Sequence, residues 1–486
     1  MTVAIYWFQR DQRLDDNEGL AAALANYDQV IPVYVTDPEM IPGGDMPAIR
    51  TVLWRSLHAL DAELQTYSSR LIARRGDPAV VIPELVKASG ATAVYAGVHP
   101  GRKALARHQR VATTLAQMGV RWQLSEDDTI VPANILKTGS GGSYTVFTPF
   151  SKKWLEWIRH NEPGKVSVPL QRLSLSQQLR DLPGDVAAIF GPDSAKINDR
   201  LPQLAISRDA ALERLAYFTG VGSDTHVREH APITRYNTQR DLPAIDGTSR
   251  LSVHLAWGTL SARSAYLAAL ATAKVCTDAG REGCRVWVNE LIWRDFYHHL
   301  FIHSPHAETE AYQQVYNALG WEDNEAHFAA WCEGRTGYPI VDAAMRQMNQ
   351  IGWMHNRARM ITASFLVKDL LLNWQLGESY FAQQLIDYDV ASNNGGWQWS
   401  ASTGTDAQPY FRVFNPSTQG ERYDSDGAYV RQWIPELAKV PKSAIHSPWK
   451  LSPGERRSLC PDYPPPIVDH ATQRPKAIEM FVRART

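Results

Sequence analysis

The first 130 residues alternate two kinds of segment, and that alternation limits the fold more than any other feature of the chain. Apolar, β-branched or aromatic runs stand at VAIYWF (3–8), QVIPVYV (29–35), RLIARR (70–75), ATAVYAGV (91–98) and VRWQLS (120–125). Between them lie amphipathic stretches such as AIRTVLWRSLHALDAELQTY and RKALARHQRVATTLAQMG. Strand-length apolar runs separated by helix-length amphipathic ones make βα units, and repeated βα units make a doubly wound parallel sheet. No G-x-G-x-x-G follows the first run, so the ordinary dinucleotide fingerprint is missing and any ligand of this domain is held differently.

The pattern then changes twice. Between about 131 and 204 the periodicity weakens, and KTGSGGSYTVFTPF with the Pro/Leu/Ser-rich tract behind it reads as an interdomain connector. From 205 to 486 the apolar spacing is helical, as in DAALERLAYFTG, SARSAYLAALATAKV, RVWVNELIWRDFYHHLF, PIVDAAMRQMNQIG and MITASFLVKDLLLNW. The expected organisation is an α/β domain over 1–130, a connector over 131–204 and an all-α domain over 205–486.

Composition excludes several classes. With 44% hydrophobic residues and a formal charge of -1, the chain reads as a soluble globular protein, and its charge argues against coating nucleic acid non-specifically. Asp11, Asp15 and Asp16 stand where a signal peptide would be basic, and no run reaches membrane-span length, so a cytoplasmic protein without a membrane partner is expected. Cys276, Cys284, Cys332 and Cys460 contain no C-x-x-C pair, so neither a disulfide framework nor a metal site is indicated. Of 16 tryptophans, 11 lie beyond residue 250, where they serve as core filler, stacking platforms or redox groups.

Three stretches carry chemistry. In VWVNELIWRDFYHHL, Trp287, Glu290, Arg294 and Tyr297 fall at i, i+3, i+7 and i+10, with Trp293 adjacent. This is either an intrahelical Glu290–Arg294 ion pair beside buried aromatics or a site in which an enclosed carboxyl is paired or protonated. In DVASNNGGWQWSASTGTDAQPYF, the pair Gly395–Gly396 either shapes a turn or lets a planar ligand approach the backbone, with Asn393 or Asn394 offering an amide. GTSRLS (247–252) reads either as an N-cap region or as a phosphate cradle of hydroxyls and backbone N–H groups just ahead of a helix.

Together RYNTQRDLPAIDGTSRLS, VNELIWRDFY, EGRTGYPIVDAAMRQM, GWMHNRARMITASFLVKDLL and NNGGWQWSASTGTDAQPYFRVFNP closely resemble the photolyase/cryptochrome family, in particular microbial photolyases of cyclobutane pyrimidine dimers. IYWFQRDQRLDDNEGL is similar to that family's opening strand and turn, although a basic residue is usual at Gln9 and a leucine at Gln12. The resemblance implies FAD in the helical domain. Tyr236, Thr248, Ser249, Leu251 and Ser252 would meet its phosphates and ribityl chain. Trp287, Arg294, Asn356, Arg359, Asp387, Asp389 and Asn393 would surround the adenine and isoalloxazine, Asn393 facing flavin N5. Trp397, Trp374 and Trp321 match the family's electron-hopping chain, and Trp293 and Trp399 its lesion-wedging aromatics. Glu290 would hydrogen-bond the dimer, Met360 would pack near it, and Arg240 and Arg357 would contact DNA phosphates. The implied activity is light-driven splitting of the dimer by an electron from excited reduced FAD, performed by a monomer on dimer-containing DNA.

Competing readings are weighed on residues. Signalling photoreceptors of the same family commonly carry an extended tail, whereas the last family-like segment here is soon followed by EMFVRART, so repair is expected over a cryptochrome role. Enzymes for six-four photoproducts place histidines at the positions held by Asn356 and Met360; His355 is one place off. A flavoprotein that binds DNA without repairing it is a third reading, distinguished by dark binding without light-driven restoration. For the antenna, folate or deazaflavin both remain open: AGVHPGRKA has Gly101 and Arg102 where an Asn-Glu pairing marks the best-known folate mode.

Overall fold

The computed structural model describes residues 1–37, 47–190, 201, 204–221 and 231–485. The chain forms two compact units: Met1–Arg235 with Ser249–Pro305, and Tyr236–Thr248 with His306–Thr486.

The first unit contains the expected sheet. Strands β1 (Val3–Phe8), β2 (Gln29–Thr36), β3 (Ile72–Arg75), β4 (Ala93–Gly97) and β5 (Arg121–Ser125) are ordered β3-β2-β1-β4-β5, and every pair is parallel. Ile5 lies in register with Ile31 on one side and Val94 on the other. Central β1 and β2 are buried along nearly their whole length, which is why they read as unbroken apolar runs, while edge strand β5 is only partly covered. Helices α1 (Glu18–Asn26), α2 (Pro47–Gln65), α3 (Pro78–Ser89) and α4 (Arg102–Gln117) fill the connections. The start and stop of α3 are local: Asp77 caps Ala79 N–H, Pro78 opens the helix, and Gly90 ends it at φ 70°. Ile82 and Val86 of α3 and Val111 and Leu115 of α4 share one core with Ile5, Val33 and Val94.

The expected connector is more ordered than its composition suggests. It contains α5 (Phe147–His160), which buries Phe150, Trp154 and Ile158 at i, i+4 and i+8; residues 191–200 and 202–203 of the connector lie outside the described residues. Among the described residues this unit also contains a single turn at Gln177–Arg180 and the helices α6 (Arg208–Thr219), α7 (Ser252–Trp257), α8 (Ala262–Val275) and α9 (Asp278–His303). Buried charges tie them to the sheet domain. Asp127 lies 2.5 Å from Arg13 and 2.8 Å from Arg263, while Asp295 of α9 accepts from Ile130 N, Val131 N and Trp154 Nε1. A buried carboxylate surrounded in this way is satisfied, and removing one partner strands the rest.

The second unit is helical among its described residues apart from an isolated bridge between Glu322 and Leu372. Its core gathers α10 (Pro339–Ile351), α11 (Asn356–Lys368), α12 (Trp374–Gln384) and α13 (Val390–Ala401); α14 (His470–Arg483) packs against α11. The stretch MITASFLVKDLLLNW, uniform by periodicity, breaks into two helices. Asp369 ends α11, Leu371 takes φ 56°, and the Asn373 side chain accepts from Gln375 N to start α12 at Trp374. Cap chemistry outweighs the apolar pattern here.

Candidate functional site

In the first unit, α6, α7 and α9 bring five expected cofactor residues into one neighbourhood. Arg214 of α6 donates to the Ser249 carbonyl at 2.8 Å, and Ser249 Oγ accepts from Leu251 N at 3.4 Å. Leu251 is buried and precedes α7, whose first residue is Ser252. Trp287 is buried on α9, with its ring 5.3 Å from Phe218 of α6. Arg294 reaches the Leu255 carbonyl of α7 at 3.4 Å.

Arg294 has a partner far from its own helix. Its guanidinium forks onto Asp128, donating to the carbonyl and to Oδ1, the latter at 2.5 Å. His298 and His99 stand 3.2 and 3.7 Å from Asp128 Oδ2. Burial alone would raise the Asp128 pKa, but Arg294 and the two histidines hold it well below the carboxylate range. Glu290 lies half-buried on the same helix. Trp293 is stacked flat on Phe147, rings 3.6 Å apart and 1° from parallel, with Tyr297 at 5.6 Å.

In the second unit, α11 and the turn before α13 meet through Arg359, which lies 2.8 Å from Asp387 Oδ2 and donates to the Met354 carbonyl. Asn356 is exposed at the start of α11, one turn from half-buried Met360, and its Nδ2 is 4.0 Å from Met360 Sδ. Asp389 accepts from Ser392 N as the cap of α13. Asn393, on the first turn of α13, donates from Nδ2 to Glu378 Oε1 at 2.8 Å and to the Glu378 carbonyl at 3.2 Å. Burial pushes the Glu378 carboxyl up to about 7; the Asn393 bond opposes the rise and Glu308 adds to it.

Gly395–Gly396 sits inside α13, which corrects the turn reading. A glycine there costs roughly 1 kcal/mol against alanine. Gly396 is exposed, and a Cβ on it would meet no atom of the described residues within 4 Å, so there is open space beside this backbone. That space leaves room for a planar group against the helix backbone. That observation, with an amide and a buried carboxyl one turn away, fits the flavin that the sequence motifs imply.

The three chain tryptophans share one core cluster: Trp397 and Trp374 are buried in it, and Trp321 packs partly exposed against it. Gly377 of α12 makes room for Trp397, since a Cβ there would fall 2.1 Å from the indole. Trp399 follows two residues on, half-buried. Tyr236 lies under Arg240 at 5.4 Å; Arg240 and Arg357 both face Asp241, at 3.9 and 2.8 Å, and Arg357 also covers Tyr423. Thr248 is half-buried at the end of this segment.

Asp128, Asp241 and Glu378 were missing from the sequence reading. Asp128 and Arg294 are 166 residues apart and Arg357 and Asp241 are 116 apart, so no local spacing announces them. Asp241 does stand beside Arg240 inside a motif already singled out, and that adjacency was a usable signal.

Known proteins resemble the chain along its whole length. Residues 4–169 match the family model described as DNA photolyase, and residues 287–483 the model described as FAD binding domain of DNA photolyase. Over 490 residues the chain is 40% identical to the deoxyribodipyrimidine photo-lyase of Escherichia coli (strain K12), covering 100% of this chain and 99% of that protein. The crystal structure of a class III photolyase from Agrobacterium tumefaciens superposes with a TM-score of 0.88 at 33% identity, covering 100% of this chain and 98% of that one. An archaeal photolyase from Sulfolobus tokodaii, solved with two FAD molecules, gives 0.79 at 31% identity over 99% of this chain and 100% of that one. With both halves matched and its full length covered, the chain belongs to the DNA photolyase family.

Proposed function

We propose that this chain is a deoxyribodipyrimidine photo-lyase that uses light to split cyclobutane pyrimidine dimers in DNA. The observation that carries the reading is the full-length 40% identity to the Escherichia coli enzyme of that name. Reduced FAD, when bound and excited by light, supplies the electron that opens the dimer and takes it back afterwards.

The chain's residues do the rest. By the family resemblance, Tyr236, Thr248, Ser249, Leu251, Ser252, Trp287, Arg294, Asn356, Arg359, Asp387 and Asp389 would hold the cofactor. Arg294 and Arg359 are pre-oriented by Asp128 and Asp387, so little is lost in ordering them when an anion binds. Asn393 presents its amide in one orientation because Glu378 accepts from its nitrogen. Trp397, Trp374 and Trp321, gathered in one core cluster, would carry electrons toward a bound oxidised flavin. Trp293 and Trp399 stack on a flipped lesion, where each base–aromatic contact is worth about 1–3 kcal/mol. Met360 packs beside the lesion, and Arg240 and Arg357 set DNA register through phosphates.

A second chromophore belongs to the proposal. Near the carboxyl ends of β1 and β2, Trp7 Nε1 and Thr36 Oγ1 are buried without a hydrogen-bond partner among the described residues, as are Arg107 Nε and His108 Nδ1 of α4. This donor-rich set near the carboxyl ends of parallel strands suits a flavin-like or deazaflavin ring, and the Sulfolobus relative was solved with two FAD molecules. Extraction of chromophores from purified protein identifies it. No helix among the described residues is long and apolar enough to cross a membrane.

The test of the main reading is Glu290. A hydrogen bond to the dimer in a water-poor site stabilises developing negative charge, so Glu290→Ala lowers repair per absorbed photon about 10-fold or more, and Glu290→Gln, which still donates, falls between. Repair of a dimer-containing oligonucleotide by fully reduced enzyme at saturation reads this, with flavin content and melting temperature as controls. Equal yields in all three proteins overturn the role of Glu290; no repair by the flavin-loaded parent protein overturns the function.

A further inference from the structure

Lys368 is the last residue of α11 and has 0% exposure, a rare state for a lysine. Its amine donates to Ser402 Oγ at 2.9 Å and to the Arg412 carbonyl at 3.1 Å, and it faces the Phe481 ring at 6.0 Å. Burial pulls its pKa down to about 7, with Arg412 acting the same way and Asp369 opposing. Charged or neutral, the amine still donates both bonds. Next to it, fully buried Asp369 meets His470 Nδ1 of α14 at 2.5 Å, so the same corner is anchored a second time.

Stability alone does not account for this arrangement. A buried ammonium whose hydrogen bonds go to a hydroxyl and a carbonyl is expensive to desolvate, and a methionine would fill the same apolar space. The position of its acceptors supplies a reason. Ser402 is the residue that ends α13, held in the left-handed region at φ 61° with its N–H on the Gln398 and Trp399 carbonyls. The carboxyl end of a helix also carries partial negative charge, which favours a cation there. Helix α11 bears Asn356, Arg357, Arg359 and Met360; α13 bears Asn393, Trp397 and Trp399.

We propose that Lys368 is a positioning residue for dimer repair: its buried amine ties the end of α11 to the end of α13 and to the segment returning through Arg412, and so sets the spacing of the two helices that carry flavin and lesion contacts. This rests on the site assignment proposed above. Without the tie, the last turn of α13, with Trp399 on it, loses its fixed position while the flavin contacts of the first turn remain.

The experiment compares the flavin-loaded parent chain with Lys368→Met, Ser402→Ala and the double variant. Amide exchange over residues 399–412, read without DNA, is expected to accelerate in each single variant. The Kd for an oligonucleotide with one cyclobutane dimer is expected to rise about 10-fold in Lys368→Met, equivalent to about 1.4 kcal/mol, with flavin content unchanged. The double variant is expected to be no worse than Lys368→Met, because both changes cut one tie. Unchanged exchange and Kd overturn the proposal whatever the melting temperature does, and so do single effects that multiply in the double variant. If Lys368→Met does not fold, Ser402→Ala decides by the same two readouts. A parent protein that fails to bind the dimer overturns the proposed function instead, since exchange still reports on the tie.

Discussion

Replacing Glu378 by glutamine separates what its carboxyl costs from what it does. Burial raises this group from 4.5 to about 7, against the pull of the Asn393 bond. Between those two values the folded chain keeps a proton that the unfolded chain has released. Stability conferred by that proton is therefore present at low pH and lost as pH rises through 7. The difference between 4.5 and about 7 corresponds to about 3 kcal/mol at pH 8. Glutamine keeps an oxygen for Asn393 Nδ2 and never ionises. Glu378→Gln should thus match the parent near pH 4.5 and exceed it by up to about 3 kcal/mol at pH 8. Thermal or denaturant melts of both proteins at pH 5 and pH 8 read the gap. Function moves the other way: a bond to a neutral acceptor is weaker than one to a carboxylate by about 1 kcal/mol, so Asn393 is held less firmly and repair per photon falls. A stability gap that does not change with pH, or a glutamine variant less stable than the parent at pH 8, would refute the reasoning.

Two further outcomes are expected. Trp397→Phe, Trp374→Phe and Trp321→Phe should each slow photoreduction of oxidised flavin about 10-fold or more, because phenylalanine is far harder to oxidise, while repair by chemically reduced enzyme survives; transient absorption and a repair assay distinguish the two steps. Asp128→Ala should cost about 3–5 kcal/mol in denaturant melts and loosen FAD, because it removes the carboxylate that the largely buried Arg294 guanidinium forks onto; flavin retention through desalting checks the second half, and Asp128→Asn should lose less.

Much of the fold was legible because its signals are local. Strand-length apolar runs at β1 to β5 and the cap chemistry of Asp77, Pro78 and Gly90 are read within a few residues, and the order of βα units limits the sheet to a parallel one. The glycine pair and the helix bearing Glu290 and Arg294 were likewise visible as anomalies. The break at Asp369–Asn373 was not, because apolar periodicity runs straight through it while one left-handed residue and an asparagine cap decide the geometry.

The sequence by itself determined the parallel sheet, the helical second half, the family and the residue types offered to a flavin and a lesion. Tertiary structure decided which charges those residues answer to. Arg294 finds Asp128, Arg357 finds Asp241, Asn393 finds Glu378, and Lys368 finds Ser402, across separations of 166, 116, 15 and 34 residues. Electrostatic and hydrogen-bond partners are chosen by distance in space, and a buried charge accepts whichever group the packed helices bring within reach. Only the folded chain specifies that.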